Sequence, residues 1–255
     1  MITRILLSTA ALSMATFASA DFANDFSASI DWDYSAGTET QNGGSNAEIT
    51  QGSSELSILG QYDYNAFTIA MDVTGFAKVS EFDTEDTTLS IGSTTVQALA
   101  NIAGARTGLY FGTMSLDFDD SEDATSASRY GITSQYAQSN LELGMRYGKV
   151  KSENDDASTL SEFAVFTDYH ITEKFNVTAQ LEYLAEDDAD FHSLIGGMGV
   201  EYNIYNNITA SVGYEYGQTY YTPEIDTDTT RFNIGLGYTF SKNPNEVVKP
   251  IGNLF

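Results

Sequence analysis

From Phe26 onward the chain alternates apolar and polar positions. In 26–34, Phe26, Ala28, Ile30, Trp32 and Tyr34 fall on one face, and Ser27, Ser29, Asp31 and Asp33 on the other. The split recurs in 141–147, where Leu141, Leu143, Met145 and Tyr147 oppose Glu142, Gly144 and Arg146, and again in 175–183, 208–216 and 232–240. Side chains that change face at every residue are those of a β-strand. The connections alternate too. Short turns lie near 63–66, 137–140, 171–174 and 205–207, and long polar segments near 35–53, 119–127, 151–159, 185–192 and 218–229. Short turns at one end and long segments at the other are the layout of hairpins that cross a membrane.

This layout counts the strands. Eleven read directly, near 26–34, 54–64, 66–78, 108–118, 128–137, 141–150, 160–170, 174–184, 193–204, 207–217 and 230–240. Segments 66–78 and 108–118 both run away from the short-turn end, so one more strand must return between them, within 86–104. Thr88–Ile91 is a weak candidate for it, and the Ala-rich stretch 96–105 also reads as a short helix. The expected fold is all-β: a transmembrane antiparallel up-and-down β-barrel of about 12 strands. Aromatics cluster at both ends of the apolar faces: Tyr62, Phe67, Tyr136, Tyr169, Phe175, Tyr202 and Tyr238 near the short turns, Trp32, Tyr34, Tyr147, Tyr183 and Tyr216 near the long segments. Two such belts are expected where strands pass the two membrane interfaces.

Residues 1–20 stand apart. Arg4, the apolar run 5–17 and Ala18-Ser19-Ala20 make a cleavable signal peptide. The barrel then occupies 21–240, and a non-alternating tail with Pro244 and Pro250 occupies 241–255. The mean hydropathy of −0.22 is no argument against a membrane protein, because hydropathy windows miss alternating strands. Eleven Lys and Arg against 36 Asp and Glu, a net charge of −25, argue against a nucleic-acid partner. There is no cysteine and there are two histidines, so no thiolate chemistry is possible and neither a metal nor a cofactor is expected. The acid runs around Asp83–Asp86, Asp117–Asp123, Asp155-Asp156 and Glu186–Asp190 read as solvated loop charge. The second of them faintly matches a calcium loop but puts Glu122 where Gly is required and Ser128 at the closing position.

The last alternating segment, Arg231 to Phe240, carries Phe232, Ile234, Leu236, Tyr238 and Phe240 on one face. It resembles the C-terminal assembly signal of Gram-negative outer-membrane proteins. With the signal peptide, the hairpins and the acidic loops, the whole mature chain resembles the bacterial porin family. The resemblance implies the outer membrane of a Gram-negative bacterium, insertion by the barrel-assembly machinery, and contact with membrane lipid and lipopolysaccharide. It also implies passive diffusion of small hydrophilic solutes and a homotrimer. The chain departs from the family in three ways. Sixteen-stranded porins are longer, twelve strands give a narrower lumen, and 15 residues follow Phe240.

If the apolar faces meet lipid, the other faces line a pore. The inward acids are then Asp31, Asp33, Glu55, Asp72, Glu142, Glu162, Asp168, Glu182, Glu201 and Glu215, and the inward bases Arg129, Arg146 and Arg231, with His170 titratable near neutrality. Ten acids against three arginines predict a cation-preferring lumen. A symmetric hairpin at 137–140 sets Arg146 opposite Gly131 and diagonal to Arg129. Arg231 lies at a similar height on the closing strand, within reach of Asp31 or Asp33 of the first. The inward glycines Gly131, Gly144, Gly213, Gly235 and Gly237 suggest open space. Three rival readings keep the barrel and change its use: a substrate-specific channel, a plugged structural barrel, or an outer-membrane enzyme. His192 beside Ser193 is the slender basis for the last, and no orienting acid accompanies them, so no catalytic residue is expected.

Overall fold

The computed structural model describes residues 26–240 except 43–46, 83–84, 119–124, 154–158, 187–190, 206 and 223–224. Residues 1–20, read as a signal peptide, the tail 241–255 and most of the loop acids lie outside the described residues. The strands are β1 (Phe26–Asn42), β2 (Ala47–Tyr64), β3 (Phe67–Phe82), β4 (Glu85–Ile102), β5 (Ala105–Phe118) and β6 (Thr125–Gln138). They continue with β7 (Leu141–Ser152), β8 (Thr159–Thr172), β9 (Phe175–Glu186), β10 (His192–Tyr205), β11 (Ile208–Thr222) and β12 (Ile225–Phe240). Each pairs antiparallel with its neighbour in sequence, and β1 pairs with β12 from Ala28↔Phe240 to Asn42↔Asp226, which closes the barrel at twelve strands.

The return strand expected within 86–104 is β4, paired with β3 from Glu85 to Ala100. The Ala-rich stretch is strand up to Ile102 and then a two-residue turn. Ala103 and Gly104 both take positive φ, 53° and 88°, the combination that matches the twist of a tight hairpin. The long polar segments are a correction. Much of 35–53 and 218–229 is strand, because β1 runs to Asn42, β2 starts at Ala47, β11 runs to Thr222 and β12 starts at Ile225. Ser, Thr, Gln and Asn occupy both faces there. Alternation marks a strand only where one face meets an apolar medium, and a ladder that continues into water has no need of it.

Strand parity sorts the side chains. Outward positions are apolar: Val200, Val212 and Ile234 face each other across β10, β11 and β12. Phe232, Ile234, Leu236, Tyr238 and Phe240 are all exposed on the outer face of the closing strand. The band ends at Tyr216, whose hydroxyl donates to Asp228 Oδ1 at 2.9 Å. Gln218 Nε2 donates to the same oxygen at 2.9 Å, and Asn42 Nδ2 to Asp228 Oδ2 at 3.2 Å. Hydrogen bonds from Gln218 and Tyr216 hold this carboxyl below the usual carboxylate range. A polar cluster on the outer face of the sheet is a water-side feature, so the hairpins extend past the apolar band at this end.

An arginine in the middle of that band has neither water nor a partner. Val212→Arg should destabilise the folded barrel by about 2–4 kcal/mol in lipid vesicles. The check is the urea midpoint of tryptophan fluorescence, and an unchanged midpoint would mean that this face does not meet hydrocarbon.

Candidate functional site

Every charged residue expected to point inward does lie on the inner side of its strand. They do not line one open tube, however. Five strands in succession contribute to a buried cluster on one wall: Tyr110 from β5, Arg129 from β6, Arg146 from β7, Glu162 from β8 and Glu182 from β9. Arg129 Nη2 lies 2.8 Å from Glu162 Oε2, and both side chains are 0% exposed. Arg146 reaches Glu162 Oε1 at 3.9 Å through Nε and Glu182 Oε1 at 3.4 Å through Nη2. The Tyr110 hydroxyl donates to Glu162 Oε1, and Arg129 stands 6.0 Å over the Tyr110 ring. Glu162 thus accepts from two strands and attracts a third, and the two arginines sit together because a carboxylate lies between them.

The register differs here from the symmetric hairpin. The turn is two residues, Ser139-Asn140, with Gln138 opposite Leu141. Arg146 therefore faces Thr133, Gly131 faces Gly148, and Arg129 faces Val150. The paired glycines are not vacant. A Cβ on Gly131 or Gly148 would run into the Tyr110 hydroxyl, and one on Gly144 into the Phe166 ring. Gly235 and Gly237 are likewise covered by Asp33 and Asp31 of β1, which sit opposite them. Of the five, only Gly213 would bring a Cβ no nearer than 3.3 Å to another atom, the Met198 carbonyl oxygen. Arg231 faces Gly37 and Glu215, well along the strand from both aspartates.

The inner face also carries apolar residues that simple alternation assigns to lipid. Phe76, Ile91, Met114, Ala127, Val150 and Leu184 form a buried cluster, with Leu89, Leu160 and Phe191 packed against it. Below it toward the short turns lies a buried polar layer with Asp72, Thr74, Thr95 and Gln97. The interior along β4–β6 is therefore filled by wall side chains. Tyr110 and this apolar cluster were missed because β5 carries large apolar residues on both faces, Leu109 and Phe111 outside and Tyr110 and Met114 inside. The glycines of β6 and β7 facing Tyr110 are the one mark in the sequence that a large ring needs room there.

A cavity of about 390 Å³ is bounded by β1 to β3 on one side and by β7 to β12 on the other. Its charged lining is Asp33, Glu55, Asp168, Glu182, Glu201 and Glu215 against Arg146 and Arg231. That is six acids to two bases, and Arg146 is already engaged by Glu162 and Glu182. Asp33 and Glu55 are directly opposed on β1 and β2. Gln180 Nε2 donates to Glu215 Oε1 at 3.2 Å. A wall so biased raises the local concentration of cations. At the short-turn mouth, His170 contacts Glu142 Oε1 through Nε2 at 3.2 Å and Asn176 Oδ1 through Nδ1 at 2.7 Å, while Asp168 faces Glu142 across β7 and β8. His192 stacks on Tyr220 with ring centroids 4.5 Å apart, and Ser193 bonds to Thr219 Oγ1 at 2.9 Å. Among the described residues no group of His, Cys, Asp and Glu is placed to hold a metal ion.

Removing one member of a buried ion cluster leaves its partners desolvated. Glu162→Ala should cost about 3–5 kcal/mol of stability, far more than a surface pair. Unfolding in detergent, followed by the loss of heat-modifiable gel mobility, measures it, and a change under about 1 kcal/mol would mean that water replaces the carboxylate.

Solved structures with the same fold are outer-membrane β-barrels. The COG4313 outer membrane channel from Pseudomonas putida F1 superposes with a TM-score of 0.66 at 10% identity, covering 85% of this chain and 96% of the other. The KdgM porin in complex with disordered oligogalacturonate gives 0.53 at 14% identity over 83% and 99%. The translocator domain of the autotransporter NalP from Neisseria meningitidis gives 0.51 at 11% over 91% and 97%. At these identities the likeness is one of fold. No curated protein sequence matches. A family model does match, over residues 35–240, from the middle of β1 to the last residue of β12, and the chain belongs to that family, described as protein of unknown function DUF481.

Proposed function

We propose that this chain is an outer-membrane channel of a Gram-negative bacterium that passes small hydrophilic solutes and ions by passive diffusion and prefers cations. The observation that carries this reading is the acid-lined cavity inside a closed barrel with an apolar outer band. In this reading residues 1–20 are removed on export, the short turns face the periplasm, and the long hairpins face outward. The outward row Phe232, Ile234, Leu236, Tyr238 and Phe240 serves as the signal for the barrel-assembly machinery. The inward charged residues act as the lining, with a division of labour. Arg129, Arg146 and Glu162 brace the wall, and Asp33, Glu55, Glu201 and Glu215 set the field that a permeating ion meets.

A narrower specificity than that of a general porin is favoured by one feature. The interior along β4–β6 is occupied by side chains, so the path is displaced toward the other strands. The acid excess suits cationic or neutral solutes, and it is the wrong polarity for a polyanion such as the oligogalacturonate bound by KdgM. In this reading the barrel has no catalytic role. His192 is held by a ring stack on Tyr220, and Ser193 is bonded to Thr219.

Planar-bilayer conductance of the refolded mature protein under a KCl gradient tests the reading. Stepwise openings with a cation-favouring reversal potential are expected, and a folded barrel that never conducts would overturn it. In the triple variant D33N/E55Q/E215Q the reversal potential should move toward zero with the fold retained. An unchanged potential would place the selectivity elsewhere in the lumen. Neutralising Arg129 and Arg146 should instead reduce stability before it alters selectivity, because both are engaged by Glu162.

A further inference from the structure

The outer face of the barrel carries few charges. Among the described residues on strands, Lys78, Arg106, Arg129, Arg146 and Arg231 occupy inward positions, and Lys78 is paired with Glu39 at 3.2 Å. The two remaining strand cations, Lys149 and Lys151, both point outward, both lie on β7, and are separated by a single residue. In a chain of net charge −25 this is a local reversal of sign.

Their height is informative. Tyr147, the next outward residue toward the short turns, is exposed and closes the apolar band, with Ile132 of β6 and Phe163 of β8 opposite it. One step above, Lys149 faces Tyr130 of β6 and Ser161 of β8. One step above that, Lys151 faces Ser128 and Thr159. The surface thus changes from an apolar row to two rows of ammonium and hydroxyl groups just beyond the aromatic belt, where lipid headgroups lie. Lys149 Nζ donates to Ser161 Oγ at 2.8 Å, which holds that ammonium on the sheet surface. Behind the patch, β6, β7 and β8 are joined by Arg129, Arg146 and Glu162, so the platform is rigid. The acid near the patch among the described residues is Glu153, exposed and two residues beyond Lys151.

We propose that this face of β6–β8 docks the phosphorylated headgroup of lipopolysaccharide. Two adjacent ammonium groups complement a phosphate monoester, the neighbouring hydroxyls supply further donors, and the acyl chains continue down the apolar row below. A single attached lipid then gives a strongly acidic barrel a point of adhesion in a leaflet of like charge. The proposal rests on the orientation in which the long hairpins face outward.

The test uses the refolded full-length mature protein in detergent, with bisphosphorylated lipid A and its dephosphorylated form as probes and native mass spectrometry as the readout. The wild type should retain the phosphorylated lipid and not the dephosphorylated one. At about fivefold per lysine near a charged surface, K149Q/K151Q should retain it roughly thirtyfold less well. K149R/K151R should retain it, and Lys174→Gln at the short-turn end should behave as the wild type. Heat-modifiable gel mobility confirms that each variant is folded, and Lys151→Glu alone, which spares the Lys149–Ser161 bond, should also lose the lipid. Equal retention by K149Q/K151Q, equal loss in the Lys174 variant, or equal binding of dephosphorylated lipid would overturn the proposal. Displacement by millimolar inorganic phosphate would overturn it in favour of a site for the free ion. Conductance of K149Q/K151Q should be unchanged, since neither lysine faces the lumen. A wild type that binds the lipid but does not conduct supports this inference and refutes the channel reading alone.

Discussion

An amide group in hydrocarbon has no water to bond to, and each one left unpaired costs several kcal/mol. That constraint governs this molecule. It forces β1 and β12 to meet, although they are the first and last strands, and it fixes their register over fifteen consecutive pairs. Once the ring is closed, parity does the rest. Each strand must send alternate side chains to lipid and to the interior, and a slip of one residue would exchange the two sets throughout a strand. The apolar band, the inward charges and the position of the cavity all follow from closure.

The interior answers a second constraint. Charged side chains enclosed by a wall of low dielectric must find partners or water. On the β5–β9 side they find partners, with Glu162 between Arg129 and Arg146 and capped by the Tyr110 hydroxyl. On the side of β1, β2, β10 and β11 the acids outnumber the bases, and the cavity supplies the water. Glycine decides which side is which. Gly131 and Gly148 make room for the Tyr110 ring, so that wall can pack inward, whereas Gly213 lines the cavity with no side chain laid over it as closely.

The fold was legible because alternation is imposed by two different solvents. The faces of β1, β7, β9, β11 and β12 read directly from residues such as Trp32 and Asp33 or Tyr214 and Glu215. β4 was inferred only by counting, since Ser and Thr occupy both of its faces. The hairpin tips were read as loops for the same reason. Beyond the lipid both faces of a strand meet water, and Thr38 or Thr227 carries no sign of which side it is on. The site was half legible. Charge and parity placed the ionic side chains named as lining on the inner face. Their partners depend on register, and register depends on a turn whose length the sequence left open: Ser139-Asn140 against a four-residue hairpin. Inward glycines were ambiguous in principle, because a missing side chain is equally a gap and a seat for a neighbour's ring.

The unequal filling of the interior has a mechanical consequence. Along β5–β9 the wall is cross-braced by ionic contacts from strand to strand, while from β10 through β12 many inward positions carry glycine or small polar groups. Bending stiffness therefore varies around the circumference. Under lateral pressure from the membrane such a ring flattens on its compliant arc, and its cross-section becomes an ellipse whose short axis is set by the soft side. The cross-section of the cavity is then a property of the surrounding bilayer as well as of the chain.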